Sequence, residues 1–281
     1  MPEGRLTVTH VVLFLTTCFT TLAAGTMMKG ATLLEVPARL LDGVPFSATL
    51  MTILLTHEMG HYMMSRYHGT PASLPYFIPA PSFIGTMGAV IKMRPPIIDR
   101  RALMDIGAAG PLAGFVVAMI AVVAGLFYSD VVPSAGIPAG TLALGDSLMF
   151  KFLSYIVLGV DPDKSEVLLH PVAFAGWIGM FITTLNLLPV GQLDGGHISY
   201  ALFGPERHAL ISNVAIPVLL ALGLWLWPGW AIWGLLMFIL GKKHPPVVLP
   251  FVELDGRRKL MGWLSIAVFL LTFMPVPFKA W

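Results

Sequence analysis

The chain has 281 residues, of which 56% are hydrophobic and only 11% are charged. Because a typical soluble domain has about 25% charged residues, this composition excludes an ordinary globular cytosolic protein and predicts an all-α protein that crosses a membrane several times. The net charge of +2 gives no basis for nucleic-acid binding, and the single cysteine, Cys18, excludes a disulfide within the chain.

Two apolar segments near the N-terminus have the length of about 20 residues that a helix needs to cross a membrane. The first extends from Thr7 to Met28, and the second extends from about Pro45 to Arg66. Pro45 suits the first turn of a helix, where its missing N–H does no harm. We therefore predict that the second membrane helix begins there.

The second span contains an HExxH motif, His57-Glu58-Met59-Gly60-His61. The four-residue spacing places both imidazoles on one face of a helix, one turn apart, where they can share a metal ion. Glu58 follows the first histidine and can act on water at the metal without being a ligand. Three ionisable groups within an apolar span are costly in a membrane unless they have a function. The motif therefore predicts a metallohydrolase whose active site lies within the bilayer.

The next hydrophobic segment, Leu74–Met93, is not expected to form an ordinary helix. Pro75, Pro79 and Pro81 interrupt its first half, and two glycines loosen its second half. We predict a β-hairpin or an extended re-entrant segment over Phe83–Ile91 that dips into the membrane. Non-helical backbone at that depth requires burial in protein or a water-filled cavity, which places the segment beside the active site.

The rest of the chain contains four further apolar segments, which we predict to form membrane helices. They are Ala102–Tyr128, Leu168–Leu188, Leu210–Leu240 and Leu260–Met274. Leu210–Leu240 is too long for one crossing and is interrupted at Trp227-Pro228-Gly229, so we expect a fifth span and a short returning segment. A loop over Ser129–Glu166 contains a predicted amphipathic helix near Leu142–Leu158. By length, the chain is expected to have about six transmembrane helices.

A zinc hydrolase needs three protein ligands and one open position for water. The best candidate for the third ligand is Asp194, which follows Pro189 and lies among Gly191, Gly195 and Gly196. These glycines permit a tight, non-helical path, and a carboxylate in lipid is costly unless it meets a cation. The alternative is a solvated Asp-Gly turn beyond a helix end.

Lysine and arginine residues cluster at two places in the chain. The first cluster, after the second span, is Arg66, Lys92, Arg94, Arg100 and Arg101, and the second, after the fifth span, is Lys242, Lys243, Arg257, Arg258 and Lys259. By the positive-inside rule, both basic loops and the N-terminus are expected to face the cytosol or its equivalent.

Three motifs together resemble the site-2 protease family of intramembrane zinc metalloproteases. They are the HExxH motif, Asn186-Leu187-Leu188-Pro189 and Leu193-Asp194-Gly195. The segment Gly110-Pro111-Leu112-Ala113-Gly114 matches a further motif that is frequent in that family, and its GxxxG spacing is typical of close helix packing.

The resemblance implies one Zn²⁺ ion held by His57, His61 and Asp194, with Glu58 as the general base and Asn186 near the scissile carbonyl. It implies a single integral-membrane protease domain over residues 1–281, with a catalytic core at about 44–204 and C-terminal membrane segments at about 209–281. The similarity is to the compact branch without a PDZ domain, found in bacterial inner membranes and plastid-type membranes.

The expected function is hydrolysis of a peptide bond in or near a transmembrane segment of a membrane protein, as in regulated intramembrane proteolysis. The expected partners are this substrate and the lipid bilayer, with no nucleic acid. One alternative is a membrane-embedded zinc peptidase that acts on surface or soluble peptides. Another is a non-proteolytic chaperone or transporter with a metal site, against which Glu58 argues, because metal storage does not require that glutamate.

Overall fold

The structure is a computed structural model that describes residues 5–32, 34–94, 96–133, 142–159, 165–241 and 244–280. Within these residues the fold is mostly helical, as the composition predicts. The helices are α1 (Val8–Met28), α2 (Val36–Arg39), α3 (Val44–Tyr67), α4 (Arg100–Leu126), α5 (Leu148–Leu158), α6 (Pro171–Asn186), α7 (Asp194–Phe203), α8 (Pro205–Trp225), α9 (Pro228–Leu240) and α10 (Gly256–Thr272), with a 3-10 turn at Leu40–Gly43.

Short strands form antiparallel pairs at the edges of the helical bundle. The strands are β1 (Tyr76–Pro79), β2 (Thr86–Val90), β3 (Asp130–Pro133), β4 (Leu142–Leu144), β5 (Ser165–Leu168) and β6 (Phe278–Ala280). β1 pairs with β2, β3 with β5, and β4 with β6. The last pair joins residues that are far apart in the sequence.

Four helical segments of the described chain are long and apolar enough to cross a membrane: Val8–Met28, Val36–Tyr67, Arg100–Leu126 and Pro205–Trp225. The predicted fourth span is helical only over Pro171–Asn186, because Leu168 ends β5 and His170 caps a helix that begins at Pro171. These 16 residues span about 24 Å, which is less than the hydrocarbon core of about 30 Å. By helix length, the described residues therefore contain fewer membrane-spanning helices than the six expected, and six crossings stay a prediction.

Helix α4 lies at the centre of the bundle and packs against α3, α6 and α7. Small residues let these helices approach closely: a Cβ atom on Gly176 of α6 would lie 2.8 Å from the carbonyl oxygen of Ala118 on α4. Around this contact, apolar side chains of α3, α4 and α6 form the main core, among them Leu50, Leu54, Val122 and Ile178.

The predicted extended segment Phe83–Ile91 contains one strand, β2, and its partner β1 lies before that segment, with Tyr76 opposite Val90. β1 packs against α1, and β2 contacts α3 as well as α1. At the tip, a Cβ atom on Gly85 would lie 2.5 Å from the carbonyl oxygen of Thr20. Thr20 Oγ1 also donates a hydrogen bond of 2.6 Å to the Gly85 carbonyl. The depth of this hairpin in a bilayer stays a prediction.

The structure also bears on two other predictions, a break in the fifth apolar segment and an amphipathic helix in the loop before the fourth. The break at Trp227-Pro228-Gly229 is confirmed, since α8 ends at Trp225 and α9 begins at Pro228. The amphipathic helix near Leu142–Leu158 begins only at Leu148, because the preceding residues form β4 and Ser147 caps the helix by accepting a hydrogen bond from the Phe150 N–H. Of the second basic cluster, Lys242 and Lys243 lie outside the described residues.

Candidate metal centre

Helix α3 supplies the three polar residues of the HExxH motif to the interior of the bundle. His57, Glu58 and His61 are 4%, 6% and 4% exposed. As the helical spacing predicts, the two imidazoles face the same side, with 3.1 Å between their Nε2 atoms.

Asp194, on a different helix, brings its carboxylate to the two imidazoles. Helix α6 ends at Asn186, and a short loop leads to Asp194, the first residue of α7. Asp194 Oδ2 lies 3.3 Å from Nε2 of both His57 and His61. The loop can fold back because a Cβ atom on Gly195 would overlap the carbonyl oxygen of Leu187. The structure thus brings together the three predicted ligands.

These side chains fit a zinc ion. Ligand atoms at about 2.0 to 2.1 Å from a tetrahedral zinc lie about 3.3 to 3.4 Å from one another, close to the separations of 3.1 and 3.3 Å seen here. His61 Nδ1 donates a hydrogen bond of 2.7 Å to the Ile106 carbonyl, which leaves Nε2 bare towards the metal position. Two imidazoles and a carboxylate form a donor set that is typical of zinc hydrolases.

Glycines of α4 make room for the two imidazoles. A Cβ atom on Gly110 would overlap the His61 ring, and one on Gly114 would lie 3.1 Å from Cβ of His57. On the α3 side of the same interface, a Cβ atom on Gly60 would lie 2.7 Å from the carbonyl oxygen of Ala109 on α4. The GxxxG spacing predicts the close packing of helices but not that these glycines face the predicted zinc ligands.

Glu58 and Asn186 border the same site. The backbone of Ile91, directly after β2, lies next to the Glu58 carboxylate. Asn186 Nδ2 lies 3.2 Å from His57 Nε2. Both predicted catalytic side chains therefore lie beside the metal position, one towards the β1–β2 pair and one at the end of α6.

Asp105 is a buried residue near the site to which sequence reasoning assigned no role. Its carboxylate accepts a hydrogen bond of 2.8 Å from His68 Nε2, at the end of α3, and bonds of 2.6 to 3.0 Å from Arg258 of α10. It directly precedes Ile106, whose carbonyl holds His61. The signal in the sequence was an ionisable residue within the predicted span Ala102–Tyr128, which needs a partner at that position.

The sequence profile of peptidase family M50 matches residues 45–226 of the chain. This interval begins in α3 and ends just after α8, so it includes the predicted zinc ligands as well as Glu58 and Asn186.

Several curated proteins are similar to the chain over most of its length. "Probable zinc metalloprotease EGY1, chloroplastic" from Arabidopsis thaliana is 31% identical over 238 residues, which cover 83% of this chain and 43% of that protein. "Probable zinc metalloprotease EGY2, chloroplastic" from the same organism is 30% identical over 242 residues, covering 84% and 42%. "Probable zinc metalloprotease EGY3, chloroplastic" from Oryza sativa subsp. japonica is 27% identical over 261 residues, covering 83% and 42%.

The chain therefore spans less than half the length of these curated relatives. No solved structure matches it.

Proposed function

The chain belongs to peptidase family M50, the site-2 protease family, and from this premise we propose that it is a zinc metallopeptidase that hydrolyses a peptide bond in or near a transmembrane segment of a membrane protein. The observation that carries the proposal is the convergence of His57, His61 and Asp194. Two of these residues lie within Val36–Tyr67, a segment apolar enough to cross a membrane.

His57, His61 and Asp194 are the residues that would hold the metal. A zinc ion bound by them supplies a Lewis acid that polarises a peptide carbonyl and makes water more acidic. The Ile106 carbonyl keeps the His61 ring in the orientation and tautomer that this binding needs.

Glu58 is proposed as the general base and general acid. Its carboxylate takes a proton from water at one oxygen and returns it to the nitrogen of the leaving amine. The backbone of Ile91 lies beside this carboxylate, between Glu58 and β2. Burial of Glu58 keeps bulk water away from the proton transfer.

Asn186 is proposed to bind the scissile carbonyl. Its Nδ2 atom now lies within hydrogen-bond distance of His57 Nε2. When the lone pair of this nitrogen binds a metal, it no longer accepts a hydrogen bond, so the amide can donate to the oxygen on which negative charge develops.

We propose that the substrate binds as an extended strand along the free edge of β2. A peptide bond in a transmembrane helix is shielded by its own backbone hydrogen bonds and must be unwound before hydrolysis. β1 occupies one edge of β2, and no second strand pairs with β2 among the described residues. Strand addition gives the unwound backbone new hydrogen-bond partners. β2 is followed in the chain by Ile91, whose backbone lies next to Glu58 of α3.

The protein is proposed to lie in a bacterial inner membrane or a plastid-type membrane, with its N-terminus and basic loops on the cytosolic side. Asp105, with His68 and Arg258, joins the start of α10 to the end of α3 and the start of α4. This contact joins Arg258 of the second basic cluster to the helix ends that carry Arg66 and Arg100 of the first, which supports a common side under the positive-inside rule.

The test is cleavage of single-span membrane proteins by the purified protein in lipid, with the cut sites mapped by mass spectrometry. Wild-type protein is compared with Glu58→Gln and with wild type plus a zinc chelator. Zinc content is measured for each, because Glu58→Gln should keep the metal. Cuts inside the hydrophobic segment, lost in both controls, are the expected result. Cuts only outside it would support the surface peptidase, and no cleavage by zinc-loaded protein would contradict a proteolytic function on these substrates.

A further inference from the structure

A second pair of histidines lies beside the candidate metal centre. His197 is buried on α7, one helical turn after Asp194, and His244 is half-buried in the connection between α9 and α10. His197 Nδ1 and His244 Nε2 are 2.7 Å apart. Neither residue belongs to the three predicted zinc ligands.

The hydrogen bonds define the tautomer of each ring. His244 Nδ1 lies 2.6 Å from the carbonyl oxygen of Pro245, which can only accept, so this nitrogen carries the proton. Burial lowers the pKa of His244 to about 4, so the ring is neutral at pH 7 and its Nε2 is bare. His197 must then donate from Nδ1. The pair thus consists of two imidazoles that meet through nitrogen atoms able to bind a metal.

The pair connects the molecular surface with the buried centre. His197 lies close enough to Asp194 and His61 for their charges to act on it. It also lies against α4, where a Cβ atom on Gly107 would be 2.8 Å from Cβ of His197. His244 is the more exposed member. Because the side chains of His57, Glu58 and His61 are almost fully buried, a zinc ion must lose bound water on its way to them, and nitrogen ligands along that path can replace the water.

We propose that His244 and His197 form a zinc-transfer pair, through which Zn²⁺ passes from the surface to His57, His61 and Asp194. This inference rests on the proposed function in one respect, namely that the centre takes zinc. For the ion to bind between the rings, the proton on His197 Nδ1 moves to Nε2, so each neutral ring offers one bare nitrogen and no net proton is released. Nitrogen ligands of a tetrahedral zinc lie about 3.3 Å apart, so the pair must open by about 0.6 Å.

The experiment measures zinc uptake by the full chain in lipid after the metal has been removed with a chelator. Zn²⁺ alone is the probe, and a fluorescent zinc indicator reports the rates of loading and release and the dissociation constant. For His197→Gln and His244→Gln we expect loading and release each to slow at least tenfold, with the dissociation constant within twofold of wild type. A transfer site changes both rates by the same factor and leaves the final ligands unaltered. His170→Gln is the matched control. His170 precedes α6 and belongs neither to the metal centre nor to the pair, so this variant should behave as wild type.

A rescue variant separates zinc binding from a purely structural hydrogen bond. His244→Cys, made with Cys18→Ser, restores a side chain that binds zinc and is expected to restore fast loading. Gln at the same position can hydrogen-bond but is a poor zinc ligand, so it should stay slow. Thermal unfolding of each variant identifies any that fail to fold.

Three results would overturn the inference: unchanged rates in both Gln variants, a weaker dissociation constant with faster release, or no rescue by Cys in a folded protein. The second result would mean that the pair only holds Asp194 in position. Because the readout is zinc uptake, a protein that loads zinc as expected but cleaves no membrane substrate would contradict the proposed function alone.

Discussion

His57 and His61 fit beside α4 because α4 has glycine at the two places where the imidazoles meet it. The ring of His61 occupies the space that a Cβ atom on Gly110 would fill. This contact also brings His61 to the Ile106 carbonyl, which sets its tautomer. The two glycines therefore leave the space that the imidazoles of the candidate metal centre occupy.

Gly110→Ala should weaken zinc binding by at least tenfold. The added methyl group overlaps the His61 ring, and relieving an overlap of this kind in a packed interior costs about 1 to 3 kcal/mol. The dissociation constant for zinc, measured by competition with a chelator, checks the prediction. Gly256→Ala, at the start of α10 where a Cβ atom meets nothing within 4 Å, is the control. Unchanged zinc affinity in Gly110→Ala would show that the ring has room to move.

The convergence of His57, His61 and Asp194 could be predicted from the sequence, whereas the residues around them could not. Helical periodicity alone places His57 and His61 together. The glycines around Asp194 permit a turn towards them, and the family resemblance selected this over a solvated Asp-Gly turn. By contrast, the contacts of Gly110 with His61 and of Asp105 with Arg258 depend on how separate helices cross. No local pattern of residues contains that information.

At the level of secondary-structure elements, Asp105 joins three helices at one end of the bundle. His68 lies at the end of α3, Asp105 near the start of α4, and Arg258 in the first turn of α10. Arg258 also forms an ion pair with Asp255, which caps α10. The cluster fixes the ends of these helices around the segment that contains Ile106.

Asp105→Asn should lower the free energy of unfolding by about 2 kcal/mol. Removing one partner of a buried ion pair costs about 3 to 5 kcal/mol, and the value is reduced here because the Arg258 side chain is 23% exposed and retains Asp255. Denaturant unfolding in detergent measures the change. In a double-mutant cycle with Arg258→Gln, the second substitution should cost less than it does alone. If the losses of unfolding free energy in the two single variants added exactly in the double variant, a direct coupling of Asp105 and Arg258 would be contradicted. Arg257→Gln serves as the charge-matched control.

The proposed binding of substrate to β2 predicts a loss of cleavage when that strand cannot pair. Met87→Pro removes a backbone donor from an exposed position of β2 and should reduce cleavage of a membrane substrate at least tenfold with zinc content unchanged. Ser82→Pro, in the connection between β1 and β2, should retain most activity. Cleavage assays with zinc analysis make the comparison. Normal turnover by Met87→Pro would mean that the substrate binds elsewhere.

The elements that could be predicted are those with a local cause. The prolines and glycines between Leu74 and Met93 break helical backbone, so an extended path follows from them, whereas the position of β1 at Tyr76–Pro79 does not. The pairing of β4 with β6 could not be foreseen, because its partners, such as Leu144 and Phe278, lie at distant positions. Similarly, hydropathy alone did not indicate that α6 is only 16 residues long, since Leu168 and Leu169 before it and Leu187 and Leu188 after it are also apolar.

At the level of the whole molecule, the sidedness can be tested with the single cysteine removed. In a Cys18→Ser background, Lys29→Cys and Lys92→Cys place one thiol at the end of α1 and one just after β2, both at exposed positions. In sealed vesicles oriented as in the cell, a membrane-impermeant maleimide is expected to label only the cysteine at position 29. Both should react after permeabilisation. The opposite labelling pattern would place the basic loops outside the cytosol.

The distribution of the ligands along the chain also has a consequence for biosynthesis. The ribosome synthesises α3 well before it reaches α7. Helices α4, α5 and α6 are synthesised between them. Two histidines without the carboxylate hold a divalent ion only weakly. The three side chains of the candidate metal centre therefore come together only after the loop that follows α6 folds back onto α3. A chain that stalls before Asp194 has no complete hydrolytic centre.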